Sequence, residues 1–326
     1  LARFPLQKAN LAGANLRGAD LFGTDLTGAK LEAADLSGVT ARRANLDSAV
    51  LREAKLIAAS FVQANFGSAD LRGADLSYAD LSEASLLSAD LSGANLHFTL
   101  LNGADLRFAF LHGAMIDDQT VLDPKWRRVW QLVNRGAQGV NVQGADLSFA
   151  NLTNADLAGA DFGTADLSAA ILTRARLSRA NLLQAQLRFT EWRGAEIDES
   201  TRLPGKSRVV WELVTLGGAG RDLRGRDFSS TSLSGAALPE ANLGRANCTF
   251  TIFIAANLRS TILTNATLVQ ADLTAADLRD ANLANANFSS ANLTQANLRN
   301  AVLTNTSFNG SIFKSTTMPD GTVRDR

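Results

Sequence analysis

Apolar residues recur every five positions along almost the whole chain, a spacing that fits neither ordinary secondary structure. The stretch Ala14-Asn15-Leu16-Arg17-Gly18-Ala19-Asp20-Leu21 shows the unit: a small residue, a polar one, a bulky apolar one, then two residues that are often polar or Gly. An amphipathic helix needs an apolar spacing near 3.6 and a half-buried strand needs 2, so a sustained period of five predicts a repeat architecture. The pattern runs without insertion or loss from Leu6 to Ile116, from Val142 to Ile197 and from Leu223 to Met318. Among these core positions only Ala41 lacks bulk.

The unit can be translated into backbone geometry. Two apolar residues flanking a polar one, as in Ala69-Asp70-Leu71, share one face of an extended segment because successive side chains alternate. The next two residues must turn the chain, and Gly or Asn there accommodates the positive φ of a type II turn. Segment and corner repeated wind the chain into a coil with Leu and Ala inside. Ala41 leaves the inner column short of volume, so a small void or local distortion is expected there.

The motif Ala-(Asp/Asn)-Leu-x-x, repeated as Ala89-Asp90-Leu91, Ala150-Asn151-Leu152 and Ala296-Asn297-Leu298, resembles the pentapeptide-repeat family. The resemblance covers roughly residues 4 to 318 apart from two interruptions, and implies an all-β solenoid, a right-handed quadrilateral (square) β-helix with four units per coil. A twenty-residue coil would stack Arg259, Arg279 and Arg299, Arg52 and Arg72, and Tyr78 and Phe98 as vertical outward columns.

The two interruptions, Asp117 to Asn141 and Asp198 to Asp222, are versions of one another at an offset of 81: Thr120, Val129, Trp130 and Leu132 correspond to Thr201, Val210, Trp211 and Leu213. Each shifts the five-residue phase by one. In the first, Asp123-Pro124 is followed by apolar Trp126, Val129, Trp130 and Val133 and then Gly136, which predicts a helix of about ten residues with an N-cap and a terminal glycine. The start of the second helix is less well specified, with Gly205 and Ser207 at the matching places. Each helix is expected to cover apolar residues and unpaired strand edges of the solenoid. Exposed docking by Trp130 and Trp211 is the sharper alternative, and Gly217-Gly218 and Gly136 would also permit a hinge. The chain thus divides into repeat blocks at 1–116, 142–197 and 223–318, helix-bearing inserts at 117–141 and 198–222, and a tail at 319–326. Just before that tail Ile312, Thr316 and Met318 echo Ile116, Thr120 and Leu122, and Pro319-Asp320-Gly321 within it is a turn signal.

Charge narrows the field of partners. The 32 basic and 32 acidic residues balance, which is no footprint for nucleic acid. Nor is the chain a strongly acidic rod, although the resemblance carries the possibility of a DNA-mimicking regulator of an enzyme such as gyrase, as some family members are. Asp20, Asp70 and Asp90 fall between the two inward residues, where local hydrogen bonding is the expected role. The single cysteine, Cys248, sits at a core position and is expected to be a buried apolar residue; it leaves the compartment open between cytoplasmic and periplasmic or lumenal. No run of eighteen apolar residues occurs, so no membrane span is expected within these residues. The chain opens on Leu1 without a signal-peptide pattern, which points to a processed chain or an excised domain. The family includes cyanobacterial-type members with Trp-containing inserts, some attached to membranes, which adds a third reading: the soluble domain of a membrane-attached factor in envelope or glycolipid assembly.

Candidate chemistry is sparse. His97 and His112 follow core positions, point outward, and lie on different faces of a square coil. There is no nucleophile turn, phosphate-binding loop or dinucleotide fingerprint, so neither catalysis nor a cofactor or metal is expected. Function is expected on the outward surface, as a rigid scaffold for a protein partner. The candidate partner-binding residues are the exposed aromatic pair Tyr78 and Phe98, the column Arg259, Arg279 and Arg299, which could meet carboxylates or phosphates, and Trp130 and Trp211. Terminal coils with unpaired edges could also support an end-to-end homodimer.

Overall fold

The coil length is written in the hydrogen bonding. In the computed structural model, which describes residues 4–325, parallel bridges join each unit to the one twenty residues on, from Pro5 to Asp25 through Asp70 to Asp90 and Asn297 to Thr317. Twenty residues at five per side make four sides, and the chain is a right-handed quadrilateral β-helix with two helical inserts. Leu1, on which the reading of a processed or excised chain rests, lies outside the described residues, as does Arg326. Close contacts group the chain into two units, Leu1–Gln138 with Phe149–Leu157, and Gly139–Ser148 with Ala158–Arg326.

Each unit repeats one set of bonds. The core residue's N–H donates to the next coil, as from Leu76 to the Asn95 carbonyl (2.9 Å), and so does that of the second corner residue, as from Tyr78 to His97 (3.0 Å). The corner closes as a β-turn with Ala79 N–H donating to the Leu76 carbonyl (3.0 Å). The polar residue before the core position braces that corner. The Asp75 carboxylate accepts from Ser77 N–H (3.0 Å), and the Asp80 and Asp90 carboxylates do the same two residues on. Local bonding is therefore what most of these Asp and Asn residues do.

Leu and Ala columns such as Leu51, Leu71, Leu91 and Ala54, Ala74, Ala94 are buried throughout. At about 25 cal/mol per Å² this burial, shared between neighbouring coils, supplies the main stabilisation. Where Thr replaces Ala it stays buried by turning its hydroxyl to the chain: Thr99 Oγ1 donates to the Leu76 carbonyl (2.9 Å) and Thr190 Oγ1 to that of Leu167 (3.0 Å). Cys248 is fully buried, and burial pushes its thiol up to about 12.

One local expectation is narrowed and another is corrected. Coil geometry at Ala41 is undistorted: its N–H reaches the Ser60 carbonyl (2.8 Å) and bridges run from Asp20 to Thr40 to Ser60. The next residue down that inner column is the fully buried Phe61, whose larger ring accompanies the missing volume above it. Positive φ at the corner, in turn, is no preserve of Gly and Asn. Lys8, Glu53, Tyr78, Phe98 and Arg245 all adopt φ between 55 and 61°, because the bonds on both sides of the corner impose the conformation on whatever residue stands there.

The first insert carries helix α1, Pro124–Arg135, and the second α2, Gly205–Thr215. Pro124 starts α1 and Gly136 ends it at φ 72°. The expected side-chain N-cap is absent: Asp123 contributes its backbone carbonyl to Arg127 N–H (3.0 Å), not its carboxylate. The phase shift is one extra residue in the rung before each helix, where Leu100 pairs with Val121 and Asn181 with Arg202, 21 residues on. Asp117 and Asp198 hold these longer turns. Burial raises the Asp117 pKa, but hydrogen bonds from Thr120, Phe98 N–H and Gln119 N–H outweigh it and the net shift is downward. Asp198 is lowered by Ser200 foremost, with Arg179 N–H and Thr201.

At the other end Ile312 is outward and pairs with Asn292, while Phe313 takes the core position. The chain then folds back. Strand β1, Thr316–Thr317, pairs antiparallel with β2, Val323–Arg324, across the turn at Pro319-Asp320-Gly321, and the Arg324 guanidinium lies 4.2 Å from the Phe313 ring centre. Part of the terminal edge is thereby occupied by the chain's own tail.

Candidate functional site

Tyr78 and Phe98 occupy the same corner in successive coils, and their rings stack at 4.6 Å with 6° between planes. Both are exposed, 58% and 41%. The polar position two residues after Phe98 holds Leu100, and its bridge partner in the next coil is Val121, exposed by 39% and 45%. Four apolar side chains thus share one side of the first unit, where the preceding coils present Ser60 and Asp80 at the same position. Leu100 and Val121 escaped notice in the sequence. Their signal was an apolar residue where the motif calls for Asp or Asn.

The arginine column is also assembled, but it is largely neutralised. Arg279 makes a two-point pair with Asp277 (2.8 and 2.6 Å) and Arg259 reaches Asp280 at 3.3 Å. The hydrogen bonds to Arg279 hold the Asp277 carboxyl below its usual range, and those of Asn300 and Arg259 do so for Asp280. Among the described residues no carboxylate lies within ion-pair distance of Arg299.

The tryptophans are bonded to the coil. Trp130 and Trp211 are half-buried, and their indole N–H groups donate to the carbonyls of Ala114 (2.7 Å) and Ala195 (2.6 Å). In a regular coil those carbonyls would accept a backbone N–H from the following rung. Asn134 completes the substitution: its Oδ1 accepts from Gly113 N–H (2.6 Å) and its Nδ2 donates to the Leu111 carbonyl (2.9 Å). In the second insert Thr215 takes both roles toward Gly194 N–H and the Trp192 carbonyl (3.2 and 3.3 Å). Side chains of the helix stand in for the backbone of a missing rung. On the neighbouring side the rungs meet directly, Phe108 N–H donating to Phe149 (2.8 Å) and Phe189 N–H to Ser230 (2.9 Å). Phe108 and Phe149 also pack edge to face at 5.7 Å. The geometry gives Trp130 and Trp211 a tethering role.

His112 is exposed and His97 half-buried, fifteen residues and three sides apart. No group of three or more His, Cys, Asp or Glu among the described residues could hold a metal ion, and no described helix is long and apolar enough to cross a membrane.

Three comparisons bear on kinship. The family model described as pentapeptide repeats matches in eight copies, at residues 6–38, 34–73, 49–86, 69–107, 138–168, 163–196, 241–280 and 281–318. Among solved structures, the chain is similar to the pentapeptide repeat protein Rfr23 from the cyanobacterium Cyanothece 51142, with 34% identity over 29% of this chain and TM-score 0.29. The match spans 64% of that protein's length, less than two thirds. It is similar also to a pentapeptide repeat protein from the Arabidopsis thaliana thylakoid lumen (35% identity, 32% of this chain and 70% of that one, TM-score 0.26). HetL from Nostoc sp. strain PCC 7120, involved in heterocyst differentiation regulation, aligns over 97% of this chain and 93% of its own at 26% identity and TM-score 0.23. No curated protein matches at a significant level. With the family's repeats matched over well more than half of its residues, the chain belongs to the pentapeptide-repeat family.

Proposed function

We propose that this chain is a non-catalytic, rigid scaffold that docks a protein partner on the side of its first unit bearing Tyr78, Phe98, Leu100 and Val121. The observation that carries the reading is the stacked aromatic pair. A non-glycine residue in the left-handed region costs roughly 1–2 kcal/mol, and at Tyr78 (φ 60°) and Phe98 (φ 58°) that cost falls on large rings left exposed to water. Neither the corner nor the core requires an aromatic there. Exposed aromatic clusters suit protein interfaces, where rigid rings supply contact area at little entropic cost, and coils bonded on all sides hold them at fixed spacing.

The acidic residues argue against DNA mimicry as the leading reading. Asp70, Asp105, Asp222 and Asp277 are each engaged by an arginine two residues on, so their charge is answered locally. Affinity capture with the wild-type chain and with Tyr78→Ser/Phe98→Ser, followed by titration of the recovered partner, tests the proposal. The variant should keep the melting temperature and lose the partner by roughly ten-fold or more, about 1.4 kcal/mol. Undiminished binding would overturn the docking assignment, and inhibition of gyrase supercoiling by both proteins would favour mimicry instead.

A further inference from the structure

The small inward position two residues before each core residue is charged at only two places in the chain, Arg221 and Arg226, both at the start of the third block. Arg221 is accounted for by an ion pair with Glu212 of α2 (2.9 Å). Arg226 is not: it is exposed, and among the described residues no carboxylate lies within ion-pair distance of it. An arginine cannot be packed where the other coils bury alanine, so its presence has no explanation in the repeat itself.

Arg226 lines an open depression of about 780 Å³ together with Arg224, Arg245, Asp222, Asn265 and Gly244. Gly244 stands between Arg224 in the coil before and Thr264 in the coil after, where an added Cβ would come within 3.1 Å of Asn242 Oδ1 and 3.3 Å of Thr264 Oγ1. The position does not need glycine for a positive φ, which falls on Arg245 (φ 61°) in this corner. Three guanidinium groups face one carboxylate. Asp222 engages Arg224 at 2.9 and 2.7 Å, and Arg224 foremost, with Arg226 at longer range, holds the Asp222 carboxyl down to about 2. Arg245, like Arg226, has no carboxylate within ion-pair distance among the described residues. The depression therefore carries a net positive charge around an amide donor, Asn265, on a rigid sheet.

We propose that this depression, formed by Arg224, Arg226 and Arg245 over Gly244, binds a phosphate dianion, either of a free phosphate ester or of a lipid headgroup. Planar guanidinium forks match phosphate oxygens in pairs and are less strongly hydrated than lysine. A dianion also matches the two arginines that Asp222 does not engage by hydrogen bonds. The site lies in the second unit and is independent of the aromatic side of the first.

The test uses the whole chain. Isothermal titration with inorganic phosphate addresses the free ligand, and co-sedimentation with phosphatidylcholine vesicles with and without phosphatidic acid addresses the headgroup. Saturable binding is expected in at least one arm. Arg226→Gln/Arg245→Gln should weaken it by roughly ten-fold or more, about 1.4 kcal/mol. Arg259→Gln/Arg279→Gln, which removes the same charge elsewhere in the unit, should leave it intact. The proposal is overturned by absence of saturable binding in both arms, by equal loss in the two double variants, or by malonate binding as tightly as phosphate.

Discussion

The role given to the inserts can be tested at Asn134, where the second insert supplies its own control. Asn134 holds Gly113 N–H, which a missing rung would have satisfied, and adds a bond to the Leu111 carbonyl, which also takes the turn bond from Ala114 N–H; Thr215 holds the equivalent pair 81 residues later. Asn134→Ala removes both bonds; its third, from Nδ2 to the Trp130 carbonyl, is to a group one turn back in the helix and is left out of the sum. Each contributes about 0.5–1.5 kcal/mol net, and since Gly113 is exposed the low end applies there, giving a gross loss of roughly 1–2 kcal/mol. Alanine is the better helix former by about 0.5 kcal/mol, so the net loss should be near 1 kcal/mol. Asn134→Thr should recover more than half of it, because a hydroxyl can accept from Gly113 and donate to Leu111 as Thr215 does. Urea unfolding followed by far-UV circular dichroism gives the stability. Because rungs contact only their neighbours, hydrogen exchange should localise the change to 111–116 and α1. If Asn134→Ala is as stable as wild type, or Asn134→Thr is no better than Ala, the side-chain rung has no energetic content.

Two further outcomes follow from the repeat geometry. Gly93→Ala should destabilise by about 1 kcal/mol in the same assay, since φ is 69° while the nearest atom to an added Cβ, Gly73 N, is 4.0 Å away; the loss is conformational rather than steric. Acid should weaken the chain through its depressed carboxylates. The Asp70 pKa is lowered from 3.8 to about 2, chiefly by its hydrogen bonds to Arg72, so the stability it contributes is present above 3.8 and lost as pH falls toward 2. Asp222 and Asp227 behave alike. Stability measured across that window should fall with pH, and less steeply in Asp70→Asn; an unchanged slope would assign the acid loss to other groups.

The period of five was enough to place nearly every buried residue, because an uninterrupted register leaves each Leu and Ala only one side of the backbone to occupy. Arg259, Arg279 and Arg299 and the Tyr78–Phe98 stack were visible once twenty residues made a coil. What stayed hidden depends on distance in the chain. The acceptor for the Trp130 indole is the Ala114 carbonyl, sixteen residues back, a group that becomes unsatisfied only because the next rung is replaced by a helix. Arg226 passed unread in an inward position, and the depression it lines is completed only by Arg245 from the following coil.

The corners show why function in this architecture must be sought in the exceptions. Tyr78 is held at positive φ by its own N–H bonded to the His97 carbonyl and by the turn bond from Ala79 to Leu76, and the same pair of bonds holds Gly73 and Ser88 in that conformation. The backbone thus fixes the corner whatever its side chain. Glycine is the least strained occupant there and polar residues are readily solvated, so stability and solubility together select against an aromatic. The Leu at each core position is explained by burial alone and says nothing about a partner. An outward ring at Tyr78, repeated at Phe98 and extended by Leu100 and Val121 where Asp or Asn would serve the turn better, opposes each of these local preferences at once. That departure from the repeat in four adjoining places is why we propose this surface, and not the arginine column, as the place where a partner docks.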